Sequence, residues 1–314
     1  MTPFVIANYF PWYDLEDWTG GCTSEGGPLE SYNSDDPQAI ARHIAQAQRA
    51  GLDGFAVHWF APDDRTDANL SKVLSLSPAN FHSTVTFLTH ILPGKNQANI
   101  VDALRYLIAN HTQQPNFLRI GDRPLIMFSD MYRVPDEAGR PPADDAAAIA
   151  IWSAIRSQVD PAHDTLWMAE GLVPDYMSVF DGLYVYKIDH ACCPEAYLKA
   201  PRWAGWVRSW EAKTGMVKYW AGTIQPGWND LNSAKPGCED LRVSSQPFAR
   251  DRENGEYYQR TVDAVLPTQP DFIVVHSFNE WIEGSMIEPS ASYGDLYLEL
   301  TARHVAAFKA LRGV

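Results

Sequence analysis

Short apolar segments alternate with longer amphipathic segments along the whole chain of 314 residues. The apolar segments are typical of buried strands, and the longer segments repeat apolar residues at helical spacing. This order predicts parallel βαβ units rather than a sandwich or a helical bundle. Eight strands are predicted, at Phe4–Tyr9, Gly54–Trp59, Val85–Ile91, Leu125–Ser129, Thr165–Ala169, Gly182–Lys187, Val217–Thr223 and Phe272–Phe278.

The helices between the predicted strands carry their own boundary signals. In the first of them Asp36 can cap the N-terminus, Pro37 suits the first helical position, and Gly51 can end the helix. A later helix has tryptophans on one face, which we expect to pack on the sheet. They are Trp203, Trp206 and Trp210.

Eight strands and their helices in one chain of this length match a single α/β TIM barrel, the (β/α)8 fold, which takes about 250 residues plus loop insertions. We therefore expect one catalytic domain over residues 1–314, since no low-complexity or charged linker divides the chain. The segments Arg133–Asp145 and Pro226–Gly255 are rich in Pro, Gly and polar residues. They are predicted to be long loops at the C-terminal face of the barrel, where active sites of this fold lie.

Charge and hydropathy exclude two classes of partner. The chain has 25 Lys and Arg against 39 Asp and Glu, and a net charge of -14 repels the phosphate backbone of nucleic acids. No uninterrupted apolar run approaches the ~20 residues needed to cross a bilayer, so no membrane span is predicted. The N-terminus enters the first strand without signal-peptide features. We expect a soluble protein, cytoplasmic unless a signal peptide has been removed, in which case secreted or periplasmic.

The four cysteines lack the CxxC spacing of metal and redox sites and are too few for a disulfide framework. We therefore expect Cys22, Cys192, Cys193 and Cys238 to be isolated thiols. No cofactor and no metal ion is predicted.

Side chains at the C-terminal ends of the eight strands should converge on one pocket, because parallel strands of a barrel all end on the same face. This pocket is predicted to be rich in carboxyl groups and aromatic rings, which suits an oligosaccharide or polysaccharide substrate. The residues expected to bind substrate there are Tyr9, Trp12, Tyr13, His58, Trp59, His90, Asp130, Glu170, Tyr186, Trp228, Asp230, Asn279 and Trp281.

Two glutamates follow the last predicted strand within four residues of each other. The apolar run Phe272–Val275 leads to Glu280 and Glu283, and an i, i+3 spacing on a turn can aim both side chains into the pocket. Cleavage of a glycosidic bond needs one carboxyl group to donate a proton and another to act as base or nucleophile. The spacing fits equally well if one glutamate caps the following segment or pairs with an arginine at the rim.

Several motifs resemble glycoside hydrolase family 99, the endo-α-mannosidases, and its relatives from polysaccharide gene clusters. The resemblance covers most of the chain and is most specific in the closing run Ser277–Pro289, followed by Tyr293–Leu298. Ala7–Tyr13 and Ala50–Trp59 are similar to the first and second strands of the family. The segments Arg123–Asp130 and Pro226–Asp230 match its fourth and seventh strands more loosely.

The resemblance implies a retaining hydrolase, endo-acting on mannose-like α-linked glycans, that works through a 1,2-anhydro sugar intermediate. Glu280 would then deprotonate the sugar 2-hydroxyl, Glu283 would protonate the leaving oxygen, and Tyr186 would lie near both. Two departures leave the sugar and linkage open, and they also allow Asp130 and Glu170 a larger part in the chemistry. Ile282 stands where the family usually has His, and Leu88–Pro93 lacks the carboxylate and tyrosine expected after the third strand.

Three other functions fit parts of the sequence. A conventional two-carboxylate glycosidase of another α-linkage could use Asp130 and Glu170, and a non-catalytic carbohydrate-binding barrel would have the same aromatic pocket. A metal-dependent hydrolase is disfavoured, because such barrels usually place a His-x-His pair after the first strand, where this chain has Tyr9–Trp12. Its ligands would come from His58, His90, His190, Asp230 and His276.

Overall fold

The computed structural model describes residues 2–238 and 246–313, and its centre is a closed barrel of eight parallel strands. Each strand pairs with the next along the chain, and the last pairs with the first, with Val5 opposite Ile273. The strands are β1 (Val5–Tyr9), β2 (Gly54–Trp59), β3 (Thr84–Leu88), β4 (Arg123–Ser129), β5 (Leu166–Glu170), β6 (Gly182–Tyr184), β7 (Tyr219–Ile224) and β8 (Phe272–Val275).

Seven α-helices surround the barrel in the described part of the chain. They are α1 (Pro37–Arg49), α2 (Arg65–Leu76), α3 (Gln97–Asn110), α4 (Asp145–Val159), α5 (Ala200–Thr214), α6 (Glu256–Val265) and α7 (Leu296–Leu311). The connection between β5 and β6 contains a 3₁₀ helix, Pro174–Ser178, in place of an α-helix. None of these helices is long and apolar enough to cross a membrane.

All eight predicted strands are confirmed, but β3, β6 and β8 end three residues earlier than predicted. Hydropathy alone could not locate these ends, because the apolar character continues into buried loops. Phe278, three residues beyond the end of β8, is fully buried and packs against Tyr9 and Phe55 from the neighbouring strands.

The predicted helix signals are also confirmed. The Asp36 side chain accepts a hydrogen bond from the Gln38 backbone at the start of α1, and Gly51 follows its end with a φ of 76°. On α5, Trp203 is buried and Trp206 and Trp210 pack partly against the core between barrel and helices.

The side chains of each strand alternate between two cores, as the twofold period of a β-strand requires. Residues such as Ile6, Met127 and Val274 fill the interior of the barrel. Their neighbours, such as Val5 and Val275, point outward into the larger core beneath the helices. This alternation decides which residues at the C-terminal ends of the strands can reach a pocket.

A disulfide joins two loops at the C-terminal face, so the prediction of isolated thiols is wrong for Cys22 and Cys238. Their sulfurs are bonded at 2.06 Å across 216 residues of sequence. The pair forms because barrel closure brings the loop after β1 beside the loop after β7. The spacing of the cysteines in the sequence does not reveal this proximity. The other two cysteines, Cys192 and Cys193, are exposed thiols.

The two predicted long loops follow β4 and β7. The first begins with a 3₁₀ turn, Met131–Arg133. The second contains an antiparallel pair of two-residue strands, Trp228–Asn229 and Ala249–Arg250. Residues 239–245 of the predicted loop Pro226–Gly255 lie outside the described residues.

Candidate active site

A cavity of about 770 Å³ opens at the C-terminal face of the barrel, a volume suited to a small ligand or a few sugar rings. Side chains from the C-terminal ends of β2 to β5 and from the loops after β1, β3, β4, β6 and β8 surround it. They are Phe10, Trp12, His58, Leu88, His90, Ser129, Asp130, Tyr132, Arg133, Glu170, Tyr186, Lys187, His190, Glu280 and Glu283.

Eight of the fifteen residues predicted for the site line this cavity, and both glutamates are among them. These are Trp12, His58, His90, Asp130, Glu170, Tyr186, Glu280 and Glu283. The sequence prediction omitted Phe10 and Lys187. Phe10 directly follows the first predicted strand and Lys187 is the last residue of the sixth, so their positions at strand ends could have identified them.

Tyr9 and Trp59 do not line the cavity, because the alternation along β1 and β2 points them outward. The Tyr9 hydroxyl lies 3.0 Å from Nδ1 of His43 on α1, and the indole N–H of Trp59 donates to Asp67 on α2 at 2.9 Å. Both rings are fully buried in the core beneath the helices. The prediction that they contact substrate is therefore wrong. Their sequence neighbours, Phe10 and His58, line the cavity instead.

Three other predicted residues lie behind the cavity wall and hold the loop after β8 in place. Asn279 joins this loop to the loop after β1, since its side chain accepts from the Phe10 backbone N–H at 2.8 Å and donates to the Phe10 carbonyl at 3.0 Å. The buried Trp281 indole donates to Glu288 at 2.9 Å. The Tyr13 hydroxyl accepts from the Trp281 backbone N–H at 3.0 Å. These are supporting positions rather than lining ones.

Trp228 and Asp230 are likewise buried beside the cavity rather than part of its lining. The Trp228 ring stacks on Phe248 at 5.7 Å, and the ammonium group of Lys187 lies 4.0 Å from the centre of the indole. Asp230 accepts a hydrogen bond from the Phe248 backbone at 2.7 Å. The indole and the carboxylate therefore shape the wall that presents Lys187 to the cavity.

Glu280 is almost fully buried and its carboxylate is fixed by donors from two loops. Oε1 accepts from the Tyr13 hydroxyl at 3.1 Å and from the Ile282 backbone N–H at 3.0 Å. The Glu280 backbone N–H donates to the Ser277 hydroxyl at 2.8 Å. Two neutral donors on one oxygen orient the carboxylate without neutralising its charge, as a base requires.

Glu283 is equally buried, and its carboxyl group faces two polar side chains. Its Oε2 accepts from the Tyr186 hydroxyl at 3.3 Å and lies 3.5 Å from Nε2 of His276. The rings of Tyr186 and His276 are 4.0 Å apart, so each restricts the position of the other. Glu283 therefore meets the cavity from a wall whose side chains cannot turn easily.

His276 extends this arrangement to the first strand. The Asn8 amide nitrogen lies 3.1 Å from Nδ1 of His276, and an amide nitrogen can only donate. In this arrangement Nδ1 is the acceptor, so the proton of a neutral ring lies on Nε2, which is 3.5 Å from Glu283 and 3.4 Å from the Ser285 hydroxyl. The sequence suggested His276 only as a metal ligand. Its place directly after β8, next to the outward-facing Val275, puts it at an inward position and is the signal that it belongs to the glutamate pair.

A second acidic group occupies the opposite wall. Asp130, which has a left-handed backbone with φ of 54°, lies 3.2 Å from Nδ1 of His90. Burial, and then the negative charge of Asp130, raise the pKa of Glu170 to about 7. Burial lowers the pKa of His90, against the attraction of Asp130. Glu170 is thus a carboxyl group that is partly protonated at neutral pH.

The raised pKa of Glu170 predicts how stability depends on pH. Because its folded pKa of about 7 exceeds the ordinary value of 4.5, folding holds the proton, and the free energy of unfolding falls as pH rises from 4.5 to 7. Glu170→Gln cannot lose this proton. We expect its stability relative to the parent protein to grow across that window and to stay constant above it, measured by urea unfolding. A constant difference at all pH values would contradict the assignment, and Glu299→Gln on exposed α7 is the control.

His58 lies between the two acidic walls. Burial, reinforced by the neighbouring His90, lowers the pKa of His58 to about 3, so the ring is neutral. Neither ring nitrogen has a hydrogen-bond partner among the described residues. The ring packs against Phe10 at 4.1 Å, and both of its nitrogens are shielded from solvent.

Metal ligation has no matching cluster in the parts of the chain that the structure describes. No three His, Cys, Asp or Glu side chains converge there in a way that could hold an ion. Two of the histidines named as possible ligands lie on different walls. His276 faces Glu283, and His90 faces Asp130.

Comparisons with known proteins give the family that the chain resembles in sequence. A family model described as glycosyl hydrolase family 99 matches residues 19–301. The rat protein named glycoprotein endo-alpha-1,2-mannosidase is 27% identical over 290 residues, which cover 86% of this chain and 58% of the rat protein. A human protein named glycoprotein endo-alpha-1,2-mannosidase-like protein is 25% identical over 305 residues, covering 89% of this chain and 63% of its own. The chain thus spans less than two thirds of the length of these relatives.

Solved structures share the fold. The structure of the GH99 endo-alpha-mannosidase from Bacteroides thetaiotaomicron in complex with bis-tris-propane superposes with a TM-score of 0.78 at 22% identity, over 98% of each chain. A glycoside hydrolase-like protein superposes with a TM-score of 0.62 at 14% identity, over 96% of this chain and 94% of the other. The predicted (β/α)8 barrel is confirmed.

Proposed function

The chain belongs to glycosyl hydrolase family 99, and from this membership we propose that it hydrolyses α-linked glycans in the cavity between Glu280 and Glu170. The observation that carries the proposal is the pair of buried glutamates on the loop after β8. Glu280 and Glu283 line one wall, and each carboxyl group is held by a tyrosine hydroxyl. Fixed carboxyl groups at the end of a barrel strand are costly to bury and are explained by catalysis.

Mannose-containing glycans are the first substrates to test, and we expect cleavage within a glycan chain. The support is the name of the rat relative, an endo-alpha-1,2-mannosidase, which shares 27% identity with this chain. The cavity opens at the barrel face and is large enough for more than one sugar ring, which suits internal cleavage. Ile282 stands where the family usually has His, so the sugar or linkage that this chain cleaves can differ from that of the family.

In the first step that we propose, the nucleophile is the 2-hydroxyl oxygen of the substrate's own sugar. Glu280 removes the proton of the sugar 2-hydroxyl, and that oxygen bonds to the anomeric carbon as the glycosidic bond breaks. Glu283 gives its proton to the leaving oxygen, so charge and atoms balance within the site. The donors on Oε1 of Glu280, Tyr13 and the Ile282 backbone, orient the carboxylate for this role.

In the second step, water opens the 1,2-anhydro ring. Glu283, now ionised, takes a proton from the water that bonds to the anomeric carbon, and Glu280 returns its proton to the 2-oxygen. Two inversions at the anomeric carbon give net retention. Tyr186 and the Nε2 proton of His276 face Oε2 of Glu283 and stabilise the ionised state between the two steps.

The remaining walls are suited to hold sugar hydroxyls and ring faces. His58 is neutral and belongs to the cavity lining, with its ring packed beside Phe10 and Tyr186. Trp12 and Phe10 form an aromatic edge beside it, with ring centres 5.1 Å apart. Aromatic faces of this kind pack well on the apolar faces of sugar rings.

A screen of α-linked manno-, gluco- and galacto-configured oligosaccharides, with NMR of the products, tests this proposal. We expect cleavage of a manno-configured substrate with retention, unchanged by excess EDTA. Loss of activity that zinc restores would favour the metal-dependent alternative instead. Binding without cleavage of any substrate would favour a carbohydrate-binding barrel.

A conventional two-carboxylate mechanism is the second candidate, favoured by one observation. Glu170, with a pKa of about 7 beside Asp130, is an acid and base pair of the ordinary kind. A substrate that lacks the 2-hydroxyl distinguishes the two mechanisms, because it cannot form a 1,2-anhydro ring. We expect such a substrate to remain uncleaved, whereas turnover would favour Asp130 and Glu170.

A further inference from the structure

Two exposed cysteines lie next to each other in the loop between β6 and α5. The sulfurs of Cys192 and Cys193 are only 2.9 Å apart. Both are free thiols, in contrast to the disulfide-bonded Cys22 and Cys238. The side chains of adjacent residues can point in different directions, but here the two thiols face each other. We name residues 189–195 the dithiol loop.

The ends of the dithiol loop are fixed by one buried carboxylate. Oδ1 of Asp189 accepts from the backbone N–H of His190 at 2.8 Å and of Glu195 at 3.0 Å. Oδ2 of Asp189 accepts from Arg250 at 2.7 Å and from the Tyr257 hydroxyl at 3.1 Å. Asp189 thereby pins both ends of the loop and leaves the two thiols at its exposed tip.

The dithiol loop also contributes to the cavity. His190 lines the cavity wall, and its carbonyl accepts a hydrogen bond from the Cys193 backbone N–H at 3.2 Å. The turn that this bond closes contains Cys192. One hydrogen-bonded turn therefore joins the Cys192–Cys193 unit to His190.

We propose that Cys192 and Cys193 form a modification site, at which a low-molecular-weight disulfide converts the two thiols reversibly into a vicinal disulfide that displaces His190 at the cavity wall. The Cys22–Cys238 disulfide supports this proposal, because a chain that carries one disulfide meets conditions that oxidise thiols. Exposure of both sulfurs allows the reagent to reach them.

The chemistry is two successive thiol–disulfide exchanges. One cysteine loses a proton, and its thiolate attacks a sulfur of the small disulfide, which expels one small thiolate and leaves a mixed disulfide on the protein. The thiolate of the other cysteine then attacks the protein sulfur of that mixed disulfide and expels the second small thiolate. The protein loses two electrons and two protons, and the small disulfide is reduced to two thiols.

Intact mass and thiol titration in glutathione buffers test the modification itself. We expect both thiols to disappear together in glutathione disulfide, with the mass of two hydrogen atoms lost from the peptide that contains Cys192 and Cys193, and to return in reduced glutathione. Cys193→Ser is the matched control, because it cannot close the ring and should retain one glutathionyl group. A parent protein that retains a glutathionyl group, or two thiols, would overturn the proposal.

Side-chain NMR of the histidines tests the effect on the cavity without relying on catalysis. We expect the His190 signal, assigned with His190→Gln, to shift on oxidation. The signal of His163, exposed in the connection before β5 at the other end of the barrel, should stay in place. Oxidation that leaves the His190 signal unmoved would overturn the link between the dithiol loop and the cavity.

Discussion

Glu283→Gln is expected to lower the turnover of an α-linked glycan at least ~100-fold, which corresponds to about 2.7 kcal/mol of transition-state stabilisation. Glutamine keeps the shape of the side chain and an oxygen that can accept from Tyr186, but it has no acidic proton to transfer to the leaving oxygen. The fold should be unaffected, so the measurement is kcat for the variant and the parent on the substrate found by the oligosaccharide screen. Unchanged turnover would refute the assignment of Glu283 as the acid.

The leaving group separates the roles of the two glutamates. The fluoride of a glycosyl fluoride leaves without being protonated. On this substrate the rate of the first step should therefore be largely restored in Glu283→Gln, but not in Glu280→Gln. Recovery by both variants, or by neither, would contradict the assigned roles. Glu299→Gln on the exposed face of α7 is the control for loss of a glutamate without loss of chemistry, and it should behave as the parent does.

The second large effect concerns stability at the other end of the barrel. Arg156 of α4 is buried, and its guanidinium donates to Asp181 at 2.8 Å, lies 3.6 Å from Asp160, and also donates to the Thr165 carbonyl at 3.2 Å. Asp181 in turn accepts from the Trp167 backbone at 2.9 Å. This network joins α4 to the beginnings of β5 and β6.

Arg156→Met is expected to lower the free energy of unfolding by about 3 kcal/mol or more, because it leaves buried carboxylates without their main cation. The melting temperature should fall by roughly 6 to 12 °C. Arg105→Met on α3 is the matched control, since its ion pair with Asp102 is 3.7 Å long and exposed, and it should change stability by less than about 1 kcal/mol. A loss no larger than that of the control would show that the network contributes little.

The barrel could be predicted from the sequence because its signals are local. Each strand is a short apolar run, each helix has its own caps, and eight such units in this length leave few alternatives. The place of Glu280 and Glu283 at the cavity could be predicted for the same reason, since one strand end and one motif contain both. The errors at Tyr9 and Trp59 arose because two adjacent residues at a strand end were both assigned to the cavity, although a strand can turn only one of them inward.

Residue spacing could not predict the partners of the glutamates, because they come from distant parts of the chain. The position of Tyr186 near the pair was implied only by the resemblance to family 99. Tyr13 reaches Glu280 across 267 residues, and Tyr186 reaches Glu283 across 97. Strand register and loop path determine these contacts, and neither is encoded in the spacing of residues along the chain. The Cys22–Cys238 disulfide was missed for the same reason, since 216 residues separate its cysteines.

The alternation of side chains at the strand ends also bears on how new specificities can evolve on this barrel. His58 faces the cavity and contributes little to the outer core, whereas Trp59 anchors α2 and never meets a ligand. Mutations at the inward position can therefore change the substrate range at small cost to folding. Mutations at its outward neighbour are expected to lower the free energy of unfolding without altering substrate selectivity. Variant libraries that sample only inward positions should contain a larger share of folded proteins with altered substrate range.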